Sequence, residues 1–412
     1  MSDIASIRPI ALLSAAAFVS AATMRVADPL IPQVAEEFLV TPGAAAIIVT
    51  AFAVAYGLCQ LFYGPLGDRF GKYRLVALMT TVSAVTVAAP AFTGTLGTLG
   101  LARLLSGATA AALIPLAMAF IGDHVGYERR QAVLARFLSG QILGLLSGQI
   151  AGGIVGELLG WRAVFLLLGA LYLGVAVLLW LELGSPRLPP PQLRGRLGVS
   201  RLIVSYLELA RRPWARVVLV TVAVEGALFF GGFAFVGAHL RGAFGLDYTT
   251  VGLLLGGLGI GGLAYALVVR LLVARLGERG LALGGGIVLM VGFLAIAAAH
   301  RPLLVLPGTF LVGLGFYMLH NTLQTNATQM WPEMRGLAVS SFASCFFLGQ
   351  AGGVWLCGRL GDRLGFPAVF ILVGLALLAV GVVFGRLIAT RPRAGGEGAA
   401  AVAEPRARPA RR

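Results

Sequence analysis

The chain has 412 residues, 58% of them hydrophobic and 12% charged, with a formal net charge of +15 and a mean hydropathy of +0.90. A soluble chain carries roughly 25% charged residues, so a water-soluble enzyme, a disordered protein and a free nucleic-acid-binding domain do not fit, and a membrane protein does. The three cysteines, Cys59, Cys345 and Cys357, lie in apolar stretches and offer neither a disulfide framework nor CxxC spacing, so they read as small packing residues.

Cut at its charged and Pro/Gly breaks, the sequence yields twelve apolar stretches, about 9–33, 44–64, 75–93, 98–122, 132–157, 162–183, 215–239, 248–272, 281–299, 303–328, 336–358 and 367–388. Each is long enough to cross about 30 Å of hydrocarbon as a helix. The expected fold is an all-α membrane protein of 12 transmembrane helices in two six-helix halves, 1–183 and 214–390, with a linker at 184–213 and a tail at 391–412. Twenty-five basic residues fall in the even-numbered gaps and at the ends, five in the opposite gaps and two inside spans, which predicts both termini in the cytoplasm.

Span one continues past Ala22 into Arg25 and Asp28 with no polar stretch after a cleavage site, so it is expected to stay as a span and not leave as a signal peptide. With its midpoint near residue 22, a rise of about 1.5 Å per residue puts Asp28 roughly 9 Å toward the outside, still within the apolar slab. Arg25 and Asp28 are three apart and share a face, which suits either a local ion pair or a working membrane carboxylate. Pro29 predicts a helix irregularity beside Asp28, which has to line protein or water and not lipid.

Between spans two and three the chain reads GPLGDRFGKYR, from Gly64 to Arg74. Glycines there permit a tight reversal, and Asp68 can pair with basic groups across the same face. The segment resembles the signature loop of the major facilitator superfamily: a glycine, then Asp-Arg, then glycine and basic residues. The resemblance covers nearly the whole chain apart from linker and tail. It implies alternating access, with Gly64, Asp68, Arg69 and Gly71 in a cytoplasmic gate and Arg130 as a partner. The matching segment of the second half, Ala274-Arg275-Leu276-Gly277, lacks the Asp, so the gate is expected to be asymmetric.

Span four carries Arg103 and Gly107, which look like the Arg-x-x-x-Gly element that the drug:proton antiporters of this superfamily associate with proton transfer. An arginine in hydrocarbon needs a counter-charge or water. Span five and its exit place Gly140, Gly144, Gly148, Gly152, Gly156 and Gly160 one every four residues, a Cβ-free strip that lets helix backbones pack closely. The strip is similar to the antiporters' Gly-rich fifth span, ending at Gly152-Gly153, with Gln149 where that motif has proline. Span one is likewise similar to the first span of multidrug antiporters, where a membrane carboxylate couples protons to export.

The linker holds Pro189-Pro190-Pro191, then Val199, Leu202, Ile203, Tyr206 and Leu209 at helical spacing opposite Arg201, Glu208 and Arg212, which predicts a cytoplasmic surface helix. The tail is rich in Ala, Gly, Pro and Arg; it is expected to be disordered and to meet lipid headgroups, not nucleic acid. A shift of 205 residues exposes a duplication. It lays Glu128, Arg130, Phe137, Gly144, Gly148 and Gly153 on Glu333, Arg335, Phe342, Gly349, Gly353 and Gly358, and the match ends with Ala163-Val164-Phe165 on Ala368-Val369-Phe370. Two parallel six-helix halves predict a site between them near mid-membrane.

Glu225 lies ten residues into span seven, the counterpart of the span carrying Asp28. It suits either a proton carrier or a permanent partner of Arg103 or Arg25. Span ten places Tyr317, His320, Asn321 and Gln324 at i, i+3, i+4 and i+7, a polar stripe expected to face a cavity or to bond neighbouring helices. Gln60, Gln141, Gln149, Tyr56, Tyr265 and Gln350 are further cavity candidates.

Enzyme-like patterns fail on context. The GxGxxG at Gly257–Gly262 sits inside span eight with no preceding strand, Lys72 lacks P-loop spacing, and His124, His239, His300 and His320 form no HExxH. No enzyme activity, cofactor or metal is expected. The reading is a monomeric proton-coupled transporter of a small organic solute in a bacterial inner membrane, with solute, protons and lipid bilayer as partners and no nucleic acid. Export is preferred, with Asp28, Arg103 and Glu225 coupling protons and Arg25, Gln149 and the span-ten stripe lining the substrate cavity. The alternatives are an uptake symporter for an organic anion, suggested by Arg25 and Arg103 together, and a non-transporting membrane sensor.

Overall fold

The computed structural model describes residues 7–185, 188 and 199–390. The polyproline stretch 189–191 and the basic tail from 391 onward lie outside them. Among the described residues there are helices, short 3-10 turns and connections, and no strand. Eleven helical stretches are long and apolar enough to cross a membrane. Span one is Arg8–Phe38, two Pro42–Phe70, three Lys72–Phe92, four Leu96–His124, five Arg136–Leu159 and six Trp161–Leu183. Span seven is Pro213–Phe244, ten Pro302–Gln329, eleven Pro332–Leu364 and twelve Phe366–Thr390.

The remaining stretch, Tyr248–Ala298, has 51 residues, far more than the roughly 20 that one crossing needs. Gly277 divides it at φ 61° and ψ −178°, a backbone conformation open to a residue without Cβ. Spans eight and nine are therefore 248–276 and 278–298, and the twelve expected crossings are present. Both described termini and the linker helix then share one face, called here the terminal face; residues 39–41 and 245–247 lie on the opposite face. Exposed apolar side chains such as Val85 and Leu267, 72% and 86% accessible, line the outside of the bundle, as a lipid-facing surface requires.

Span one packs on five and span seven on eleven within the halves, while span eleven runs along two and span five along eight between them. Span one is broken where Pro29 predicts: an α-helix at Ile7–Arg25, a 3-10 turn at Asp28–Leu30, and a helix at Ile31–Phe38. The segment from Gly64 departs from the expected loop. The helix Ile47–Phe70 continues through Pro65 and reverses only at Gly71, φ 87°. Proline costs a helix the hydrogen bond to the carbonyl four residues back. Here that carbonyl, on Leu61, is taken instead by the Tyr206 hydroxyl at 2.8 Å. Tyr206 belongs to the linker helix Val199–Arg211, which buries Leu202 and Leu209 and leaves Ile203 and Leu207 exposed.

Candidate functional site

Close helix packing sets the positions of the polar groups. A Cβ on Gly144, Gly148 or Gly152 would run into the backbone of Phe18, Ala22 or Val26, so span five presses directly on span one below Asp28. The second half repeats this after 205 residues: Gly349 and Gly353 meet the carbonyls of Ala223 and Ala227. At the third step the small residue changes sides, and Gly231 of span seven faces Cys357 of span eleven.

The Arg25 guanidinium lies 3.4 Å from Asp28 Oδ2, donates to Gln350 Oε1 at 3.2 Å and stacks 3.7 Å over the Phe230 ring. The first contact is the local pair that the spacing allowed; the other two cross to the second half. Asp28 is fully buried, with Oδ1 lacking a hydrogen bond, and Gln149, whose Nε2 is equally orphaned, adjoins it. A buried carboxylate is costly unless paired, and Arg25 and Gln149 are the polar groups set against Asp28.

Arg103 is fully buried one layer away. The counter-charge expected for it is replaced by carbonyls and rings: Nε donates to Ile48 O at 2.7 Å, Nη2 to Thr23 O at 3.4 Å, and the guanidinium lies 4.5 Å from Phe52 and 5.2 Å from Phe165. The Ile48 and Phe52 partners sit on span two, whose backbone Gly107 approaches directly.

Glu225 pairs with neither arginine. Its Oε2 lies 2.9 Å from His320 Nδ1, and its Oε1 has no hydrogen bond. Phe316, Phe342 and Phe346 surround the imidazole at centroid distances of 4.8, 5.3 and 4.7 Å. The polar stripe therefore begins against a buried carboxylate. Tyr317, His320 and Asn321 are half-buried and Gln324 is exposed, so the stripe becomes more exposed toward the terminal face.

At that face Asp68 pairs with Lys72 at 2.6 Å, and Lys72 with Asp123 at 2.7 Å. Arg130, the partner expected for Asp68, instead donates to the Val125 carbonyl at 3.2 and 3.1 Å, while Arg69 lies 5.0 Å over the Phe70 ring. Gly64 faces open space. Lys72 is one of the motif's basic residues, in i, i+4 spacing with Asp68, whereas Asp123 lies outside the motif and escapes that reading.

On the opposite face Glu36 bridges the halves: it pairs with Arg241 at 3.1 Å and accepts from the Tyr248 hydroxyl at 2.9 Å. Asp247 caps span eight; hydrogen bonds from the Thr250 amide and hydroxyl, both 2.7 Å, hold its carboxyl below the usual carboxylate range. A cavity of about 470 Å³ on this face is lined by Gln33, Glu36, Glu37 and Trp161 among others, away from the buried polar groups. Among the described residues no group of three His, Cys, Asp or Glu side chains could hold a metal ion.

The family model described as Major Facilitator Superfamily matches residues 13–351 and 228–410. The chain is similar to the uncharacterized transporter YgaY of Escherichia coli O157:H7, 28% identical over 378 residues, 87% of this chain and 90% of that protein. It is also similar to the multidrug efflux protein YfmO of Bacillus subtilis (strain 168), 24% identical over 383 residues, 86% of this chain and 88% of that one. Among solved structures, the nucleoside transporter NupG superposes with a TM-score of 0.73 at 13% identity, covering 94% of this chain and 100% of that one. The peptide transporter POT gives 0.73 at 16% identity, with 92% and 94% covered.

Proposed function

This chain belongs to the major facilitator superfamily and is a membrane transporter, not an enzyme, and from that premise we propose that it exports a small organic solute in exchange for protons by alternating access. The observation that carries the reading is Asp28: a fully buried carboxylate at a break in span one, with one orphaned oxygen, whose partner Arg25 reaches Gln350 and Phe230 of the other half. A proton on Asp28 would release Arg25 from its pair and so change what holds the halves together. Charge is thereby linked to the seam that has to open.

Glu225, 2.9 Å from His320, would be a second proton carrier beside the stripe, where Tyr317, Asn321 and Gln324 would meet substrate. The terminal face is read as cytoplasmic on its excess of basic residues, in a bacterial inner membrane. Export is supported by the Arg103, Gly107 and Gly144–Gly153 elements and by the similarity to a protein named as a multidrug efflux protein. A second reading, uptake of an organic anion, is favoured by the orphaned Nη1 of buried Arg103.

The test is growth of an efflux-deficient bacterial strain expressing the chain across a panel of antibiotics and dyes, beside Asp28→Asn at matched membrane levels. Resistance lost in the variant is the expected result. Absence of resistance to every compound, together with carboxylate uptake by the same cells, would replace export with the second reading.

A further inference from the structure

We propose that Glu157 and Asp362 are matched latches that hold the two halves together at the face away from the termini. Glu157, near the end of span five, accepts a hydrogen bond through Oε2 from the backbone N–H of Tyr248, the first residue of span eight, at 2.7 Å. Asp362, near the end of span eleven, accepts through Oδ1 from the N–H of Gly43 in the first turn of span two, at 3.2 Å. Adding 205 to Glu157 and Gly43 gives Asp362 and Tyr248, so the duplication carries one bond onto the other.

Each latch leaves one half and ends on the other. The amides it reaches stand in the first turn of a helix, where backbone N–H groups have no intrahelical acceptor and the helix dipole favours a negative charge. The packing beneath is matched as well. A Cβ on Gly153 would meet the Tyr248 carbonyl and stand 2.9 Å from the Gly252 Cα, and one on Gly358 would stand 2.8 Å from the Gly43 Cα. Both carboxylates are exposed, above glycines whose backbone meets backbone of the other half.

The seam continues inward through Tyr56 on Phe347, ring centroids 4.3 Å apart, and Leu146 on Gly259. Beyond it the span-ten stripe grows more exposed toward the terminal face. The latches join the halves on the face away from the termini beside the Glu36–Arg241 pair, and because they are related by the axis between the halves, one rocking motion breaks both. The proposal rests on the alternating-access reading and on neither direction nor proton coupling; its test reads a distance, so a failure of export and a failure of the latches are told apart.

The full chain, with Cys59, Cys345 and Cys357 replaced by serine, would carry nitroxide labels at Leu39→Cys and Leu303→Cys, exposed positions of the two halves on the latched face. Their distance distribution would be read in lipid nanodiscs by pulsed electron spin resonance. Glu157→Ala and Asp362→Ala should each lower the closed-to-open ratio by a factor of roughly 5, the loss of one capping bond, and together by roughly 25. Glu157→Gln, which keeps an acceptor, should lie closer to the parent than Glu157→Ala, and Arg301→Ala, a charge on the same face outside the latches, should leave the distribution unchanged. A parental distribution in the double variant would overturn the proposal, as would a shift from one carboxylate alone or equal opening by glutamine and alanine. If the double variant does not fold, the two single variants, each of which removes one exposed contact, decide the matter on the same terms.

Discussion

Glu36 and Arg241 pair at 3.1 Å and are equivalent positions of the two halves, separated by 205 residues, the period of the duplication. Arg25 and Phe230, 3.7 Å from guanidinium to ring centroid, have the same separation. An axis that relates the halves passes between the members of each pair, and side chains there meet their own counterparts. The outer pair is largely exposed, at 57% and 30%, so its Coulomb gain is screened. Arg241→Ala should therefore cost no more than about 1 kcal/mol in thermal stability. Arg241→Glu, which sets two carboxylates against each other, should cost more, and adding Glu36→Arg should recover part of the loss; a double variant less stable than Arg241→Glu alone would contradict the pairing.

At depth the same axis carries charge. Asp28→Asn keeps shape and removes the negative partner of Arg25, which retains Gln350 and Phe230. In proteoliposomes, transport driven by an imposed pH gradient should fall at least about tenfold, as for loss of a general acid or base. Exchange of labelled for unlabelled substrate, which needs no net proton movement, should persist. Equal loss of both activities would make Asp28 a structural or substrate-binding group and not the coupling one.

Periodic and local features are legible in the sequence: twelve apolar stretches, the glycine strip, and Arg25 three residues before Asp28. Each needs only a helix to bring its parts together. Partnerships across spans are not. Glu225 meets His320 from 95 residues away, and its own helix gives no reason to prefer that imidazole to Arg25 or Arg103. Arg103 satisfies its donors on the carbonyls of Thr23 and Ile48, and carbonyls leave no trace in side-chain patterning. Glu157 and Asp362 stand in register under the 205-residue shift, yet they are not identical and so stay hidden among matched glycines.

Adjacent glycines of span eleven separate packing from propensity. A Cβ on Gly353 would collide with the Ala227 backbone, whereas Gly352 has nothing within 4 Å. Gly353→Ala should therefore destabilise by about 1–3 kcal/mol through overpacking against backbone that cannot yield. Gly352→Ala should be neutral or stabilise by up to about 1 kcal/mol, because alanine is the better helix former. Thermal unfolding of both in the same detergent reads the difference; similar midpoints would mean that spans seven and eleven do not approach as closely as described.

The linker helix is tied to the first half by a bond whose acceptor exists because Pro65 donates no N–H to Leu61. Tyr206→Phe should cost about 1 kcal/mol, leaving that carbonyl without a partner. In a Pro65→Ala background the helix supplies its own donor, so the same substitution should cost close to nothing, and the difference is read as a double-mutant cycle. Burial pushes the Tyr206 hydroxyl up to about 12. Its neutral form is thus favoured in the folded chain: the contribution is complete below about pH 10, the ordinary tyrosine value, and is lost as pH rises through about 12. The difference between the ultraviolet titrations of the parent and of Tyr206→Phe should amount to one tyrosine ionising near that pH. Equal costs of Tyr206→Phe in the two backgrounds would sever the link between the proline and the linker helix.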